Sequence, residues 1–253
     1  MMQTPAMIEQ SGDTFAKGRY RARFARGPAD LAAAQALRHL AFFGRDGRDE
    51  DGFDDACMHL LVEERDGGRL VACCRILPLE AARIGESYSA QYYELSPLES
   101  FDGPMLEIGR FCILPGVGDG DVLRIAWGVL TRYVDENDVK MLFGCSSFAG
   151  TDEAAYLDTF AMLKERHLAP KRWLPRVKAP QVFRFARRLG RKPDAKRAMQ
   201  LMPPLLRTYL MMGGWVSDHA VVDRQMGTLH VFTGVEVAAI PPARKRLLRA
   251  VAA

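Results

Sequence analysis

The stretch Met105-Leu-Glu-Ile-Gly-Arg-Phe-Cys-Ile-Leu-Pro115 constrains this chain more than any other. It reads as an apolar strand, 105–114, that carries a carboxylate (Glu107) and a guanidinium (Arg110) and stops at a proline. Burying either charge without a partner costs on the order of several kcal/mol. The fold must therefore pair these charges or hold them in a cleft where they act. A spacing of three puts them on opposite faces of a regular strand. A bulge at Gly109 is expected, because it would bring both to one side. In a cleft, Glu107 reads as a candidate general base; otherwise Glu107 and Arg110 form a structural ion pair.

The text around this strand alternates between strand and helix signals. Residues 1–18 read as a loose tail and 19–253 as one domain with a basic C-terminal half. Strand 20–25 is followed by helix 30–43. Strands 59–64 and 70–77 are joined at Asp66-Gly67-Gly68, a hairpin signal. After 105–114 come a glycine-rich turn, helix 121–135, strand 140–147 and a capped helix from Thr151 to about residue 167. A short apolar helix, 203–212, late strands 220–223 and 229–237, and a basic terminal helix, 244–251, complete the chain. This order predicts a mixed α/β or α+β domain around one core.

Charge narrows the partners. Residues 164–207 hold fourteen Lys/Arg against two acids, a local +12, and the whole chain carries +4, so the remainder carries −8. Such polarity predicts docking to an acidic partner. Few aromatics accompany the basic residues and no recognition module is legible, which disfavours nucleic acid. No apolar run approaches the roughly 20 residues of a membrane-spanning helix. The N-terminal text lacks the apolar core of a signal peptide, which points to a cytoplasmic protein. Cys57, Cys73, Cys74, Cys112 and Cys145 show no metal-type spacing and read as reduced thiols. His59, His167, His219 and His230 show no metal or triad spacing, so no metal is expected.

The turn after the central strand, Gly116-Val-Gly-Asp-Gly-Asp121, opens a helix, and a helix N-terminus is a ready anion site. Here Asp119 and Asp121 would repel a pyrophosphate, and neither a Walker pattern nor GxGxxG is present. Four further groups carry candidate chemistry. The acid-rich loop with Asp51 and Asp54 reads as solvated or as a grip on a cationic amine. Arg75 interrupts an apolar strand and so requires an acidic partner. Arg38 and Phe42, four apart, share one helix face. Ser146 and Ser147, at a strand end, can donate to a carbonyl oxygen.

Taken together, Arg38…Phe42…Asp51-x-x-Asp54…Arg75-Ile-Leu-Pro78…Glu107-x-x-Arg110 resembles the signature of acyl-homoserine-lactone synthases and their GNAT-like relatives. The finer resemblance is to the ornithine lipid N-acyltransferases. It is carried by the text 51–62, Leu106-Glu-Ile-Gly-Arg110, Phe143-Gly-Cys-Ser-Ser-Phe-Ala-Gly-Thr151, 202–209 and 216–223, and it covers about residues 20–240. The resemblance implies a GNAT-like acyltransferase fold: a central mixed, mostly antiparallel sheet flanked by helices and splayed by a bulge. It implies transfer of a 3-hydroxyacyl chain from acyl carrier protein to the α-amino group of ornithine, the first step of aminolipid synthesis. No separate cofactor is implied, because the acyl group rides on the carrier's phosphopantetheine.

By the same resemblance Glu107 deprotonates the amine. Arg110, Arg75 and Arg38 organise the acidic cluster, the acceptor or the carrier's phosphate, and Asp51 and Asp54 hold the N-terminal region or the acceptor's amine. Backbone N–H groups near Ile113 stabilise the oxyanion. The turn 116–121 and the segment 223–228 depart from the family's text, which leaves glutamine open as an acceptor beside ornithine. The same motifs also admit an acyl-homoserine-lactone synthase, disfavoured because 143–151 and 202–223 match the lipid enzymes better, and a non-catalytic module that binds carrier protein or membrane. The apolar helix 203–212 and the basic tail 244–249 permit peripheral contact with a membrane face.

Overall fold

The computed structural model describes residues 14–252. In chain order the strands are β1 (Phe15–Lys17), β2 (Tyr20–Phe24), β3 (Met58–Glu64), β4 (Leu70–Leu79), β5 (Tyr93–Glu94), β6 (Met105–Ile113), β7 (Met141–Ala149), β8 (Arg176–Val177), β9 (Val182–Phe183), β10 (Trp215–Val216), β11 (Ala220–Asp223) and β12 (Thr228–Glu236). The helices are α1 (Pro28–Phe43), α2 (Gly120–Glu136), α3 (Leu157–Arg166), α4 (Phe185–Arg188), α5 (Ala195–Leu201), α6 (Pro204–Met211) and α7 (Pro242–Ala252). The chain forms two compact units. The first holds the N-terminal part to Leu77, Ile108–Asp138 and the C-terminal part from Lys245; the second holds Pro78–Glu107 and Val139–Arg244. The central strand β6 is thus divided after Glu107.

In the first unit the strand order is β1-β2-β3-β4-β6, and the β1–β2, β2–β3 and β3–β4 pairs are antiparallel. The hairpin turn between β3 and β4 works because Gly67 and Gly68 take φ of +80° and +67°, open to glycine at little cost. Helix α1 begins with Pro28 in its first turn and ends at Gly44, whose left-handed conformation lets its N–H bond Leu40 O. Its inner face packs Ala34 and Leu37 on Leu61, Cys73 and Cys112. The Cys73 and Cys112 sulfurs lie 3.6 Å apart as free thiols. Helix α2 packs against β1, β2 and β3. Of the expected tail 1–18, residues 1–13 lie outside the described residues, and Phe15–Lys17 is a paired edge strand rather than tail.

In the second unit the order is β6-β7-β12-β11-β9, with β10 also paired to β12. The spine is the antiparallel β7–β12 ladder, from Met141↔Glu236 to Ala149↔Thr228. Strand alternation sorts its side chains. Phe148, Leu229, Val231 and Ala220 face a core shared with Phe160, Leu163 and Leu206. The opposite face carries Phe143, Cys145 and Ser147 of β7, with Phe232 and His230 of β12 across from Cys145 and Ser147. Tyr93, fully buried, packs on this second face, with its ring centroid 5.7 Å from that of Phe232.

Two local expectations change. The strand expected to end at Ser147 continues to Ala149, because β12 keeps pairing to that point. The helix expected to start at Thr151 starts instead from Asp152, whose carboxylate accepts from Ala154 N at the head of a 3₁₀ turn, Glu153–Tyr156, leading into α3.

Candidate active-site residues

The second unit presents Glu107 at the end of a ladder. β6 runs parallel to β7 from Met105↔Met141 to Glu107↔Phe143, and the pairing stops there. Glu107 is only 4% exposed. Its Oε2 accepts from Tyr88 N at 2.8 Å; its Oε1 accepts from Ser89 N at 2.7 Å and Ser89 Oγ at 2.6 Å. Charge-assisted bonds of this length are strong, so Glu107 fixes the 3₁₀ turn Ser89–Gln91 against the sheet. Ser89 Oγ also lies 3.5 Å from Cys145 Sγ. Next to it the Tyr88 and Tyr92 hydroxyls lie 3.2 Å apart, and Tyr92 meets His230 edge to face at 4.9 Å. The Tyr93 hydroxyl donates to His230 O at 2.9 Å and lies 3.1 Å from Nδ1 of that imidazole. Burial pulls the His230 ring down to about 4, so it is neutral at pH 7.

Beyond Glu107 the backbone of β6 takes one left-handed residue. Gly109 does not take a positive φ; Arg110 does, at +52°. A left-handed non-glycine residue costs roughly 1–2 kcal/mol and persists only where its surroundings hold it. Here carboxylates hold it: Arg110 Nε donates to Asp49 at 3.0 Å, and an Nη lies 3.4 Å from Asp51.

These bonds belong to a six-residue cluster in the first unit, with three arginines against three aspartates. Arg38, 1% exposed on α1, grips Asp54 through both Nη atoms at 2.8 and 2.9 Å, and its Nε lies 2.9 Å from Asp49. Arg75 of β4 pairs with Asp51 and lies 3.3 Å from Asp54. Gln35 donates a further bond to Asp54 at 3.0 Å, and the His59 ring contacts Asp54 O at 3.0 Å. Burial alone would raise the Asp54 carboxyl. Hydrogen bonds from Arg38 and Gln35 and the charges of Arg38 and Arg75 outweigh it and hold the group well below the usual carboxylate range. Asp49, Asp51 and Asp54 of the acid-rich loop are thus the partners of arginines on a helix and two strands, Arg38 and Arg75 buried and Arg110 half-buried. Phe42 lies half-buried against the α1 core cluster.

The remaining expected residues separate. Ser146 is buried and its hydroxyl accepts from Thr233 at 2.9 Å, on the face away from Glu107, whereas Ser147 is exposed on the Glu107 face. Ile113 is half-buried at the end of β6, and the next N–H, that of Leu114, is already donated to Val71 O. Asp119 caps α2 by accepting from Asp121 N at 2.9 Å and also accepts from the Tyr20 hydroxyl at 3.1 Å. The anion site at this helix end is thus filled by the chain's own carboxylate. Ser89, Tyr88 and Cys145 were not singled out from sequence. The stretch 78–104 has no periodicity, and Ser89 reaches Glu107 only once its 3₁₀ turn has formed.

Residues 37–128 match the family model described as acetyltransferase (GNAT) domain. The L-ornithine N(alpha)-acyltransferase of Rhodobacter capsulatus is 34% identical over 229 residues, covering 84% of this chain and 88% of that protein. The chain belongs to the L-ornithine N(alpha)-acyltransferase family. The family's protein of the same name from Brucella abortus is 30% identical over 251 residues, covering 90% and 89% of the two chains. Among solved structures, FeeM, an N-acyl amino acid synthase from uncultured soil microbes, aligns over 87% of this chain and 92% of its own with a TM-score of 0.46 and 9% identity. The GNAT-like α/β fold and the acyltransferase class expected from the sequence are both met by this family. Among the described residues no helix is long and apolar enough to cross a membrane.

Proposed function

We propose that this family member transfers an acyl group from the thioester of acyl carrier protein to the α-amino group of ornithine. The observation that carries the reading is the match to the ornithine acyltransferases over 84% of the chain and 88% of the relative. In the proposed reaction the α-amine of ornithine attacks the thioester carbonyl. Glu107 takes the proton that the amine must lose, directly or through one water. A C–N bond forms, the tetrahedral intermediate collapses, and the C–S bond breaks to release the carrier's thiolate, which is then protonated. Ser147 and Cys145, on the Glu107 face of β7, line the approach, and the three-by-three ion cluster holds the backbone of β6 beyond Glu107 in shape.

A carrier-borne donor suits the chain better than a nucleotide-borne one. The N-terminus of α2 is capped by Asp119, with Asp121 in the first turn, and two carboxylates oppose a pyrophosphate. The test offers 3-hydroxyacyl carrier protein with ornithine, glutamine or S-adenosylmethionine, and follows thiol release and product mass. Release with ornithine and a product of amide mass is expected. Release with glutamine alone would move the acceptor, and release with S-adenosylmethionine alone would make the chain a homoserine-lactone synthase.

A further inference from the structure

The strongly basic segment of the sequence is not used by the residues described so far. In the second unit part of it lines an open cleft of about 640 Å³, where Lys171, Arg172, Arg176 and Arg184 join Ser96 and Asp218 among the lining residues. The walls are well anchored. β8 pairs with β5, Trp173 meets Phe101 edge to face at 5.4 Å, and Pro175 is buried.

The charge in this cleft is unbalanced. Four lining cations face one lining carboxylate, Asp218, which lies 2.7 Å from His219 Nδ1; outside the lining, Glu94 lies 3.2 Å from Arg176 and Glu236 lies 3.8 Å from Arg172. Lys171 and Arg184 have no acidic partner among the described residues. All four cations are exposed. A small buried anion would call for enclosed donors; exposed cations around an open concavity suit the carboxylates of a convex protein surface. A bilayer-binding face would set exposed apolar side chains beside the cations. Here Leu174 and Val177 are half-buried, and the exposed Leu168, Met199, Leu201 and Met211 of this unit are outside the cleft lining. The cleft is also close in the chain to the chemistry. Ser96 follows by seven residues the Ser89 that Glu107 holds, and β5 joins the two.

We infer that this cleft is the docking site for the acidic carrier protein that delivers the acyl group, with Lys171 and Arg184 as its unpaired anchors. The inference rests on the carrier-borne donor proposed above. Its test compares the wild type with Lys171→Glu, Arg184→Glu, the double variant and Lys192→Glu, an exposed basic residue of the same segment that does not line the cleft. Two readings are taken: Kd for holo carrier protein, which needs no turnover, and the ratio of kcat/KM for acyl carrier protein to that for the N-acetylcysteamine thioester of the same acyl chain. The double variant is expected to weaken Kd and lower the ratio by at least ~10-fold, with Lys192→Glu within about twofold of wild type on the same scale. Equal losses in Lys192→Glu, or no loss in the double variant, would overturn the inference. So would a loss of binding to anionic vesicles with Kd for the carrier unchanged. No turnover by the wild type with either donor would count against the proposed reaction, and the Kd comparison would still decide the docking site.

Discussion

Asp54 concentrates the electrostatics of the first unit in one carboxylate. It accepts from Arg38 and Gln35, lies 3.3 Å from Arg75, and has almost no contact with water. Removing one member of such a buried set leaves the others uncompensated, which costs about 3–5 kcal/mol. Asp54→Asn is expected to destabilise the chain by that amount at pH 7, read as the urea midpoint at constant m. The pH dependence follows in sign. The folded carboxyl sits below its unfolded value, so its contribution is complete above about pH 4 and is lost as pH falls from there. The wild type should therefore lose stability steeply below about pH 4, and Asp54→Asn should show a shallower acid limb. An unchanged limb would mean that Asp54 is not the titrating group. At this scale the sequence was informative about which charges matter, because an arginine inside apolar text demands a partner. It was silent about Ser89, since a serine between tyrosines carries no signal until a turn brings it 2.6 Å from Glu107.

Elements with enough length to show a period were legible: β2, β3, β4, β6, β7, β12, α1 and α2 all fall within a few residues of their expected bounds. The two-residue strands β5, β8, β9 and β10 were not, because two residues cannot display alternation and their pairing is made by the sheet around them. The left-handed residue of β6 is Arg110, not a glycine. Glycine is the default for positive φ, but the ion pairs to Asp49 and Asp51 hold Arg110 there instead. The glycine stop after α6 makes a sharper test. A Cβ on Gly214 would lie 2.6 Å from Tyr209 O, a backbone atom, and 3.1 Å from Val235. Neither neighbour is a flexible side-chain end, so Gly214→Ala is expected to cost about 1–3 kcal/mol. Gly85→Ala, with open space around it, should stay within about 0.5 kcal/mol. Thermal denaturation of the two variants side by side checks this.

Over the whole molecule, charge and sequence family point the same way. The basic segment lies in the second unit with Glu107 and the open cleft, while the aspartate-capped helix end lies in the first. Glu107 as a base and Glu107 as a mere anchor of the turn that holds Ser89 have different consequences. Glu107→Gln removes the base and disturbs the anchor; Ser89→Ala loosens the anchor and leaves the carboxylate. The deciding measurement is the turnover number of these two variants with acyl carrier protein and ornithine. The account predicts a fall of at least ~10²-fold for Glu107→Gln and a far smaller one for Ser89→Ala. Near-normal turnover of Glu107→Gln, or equal losses in the two variants, would contradict it and leave Glu107 as a structural anchor.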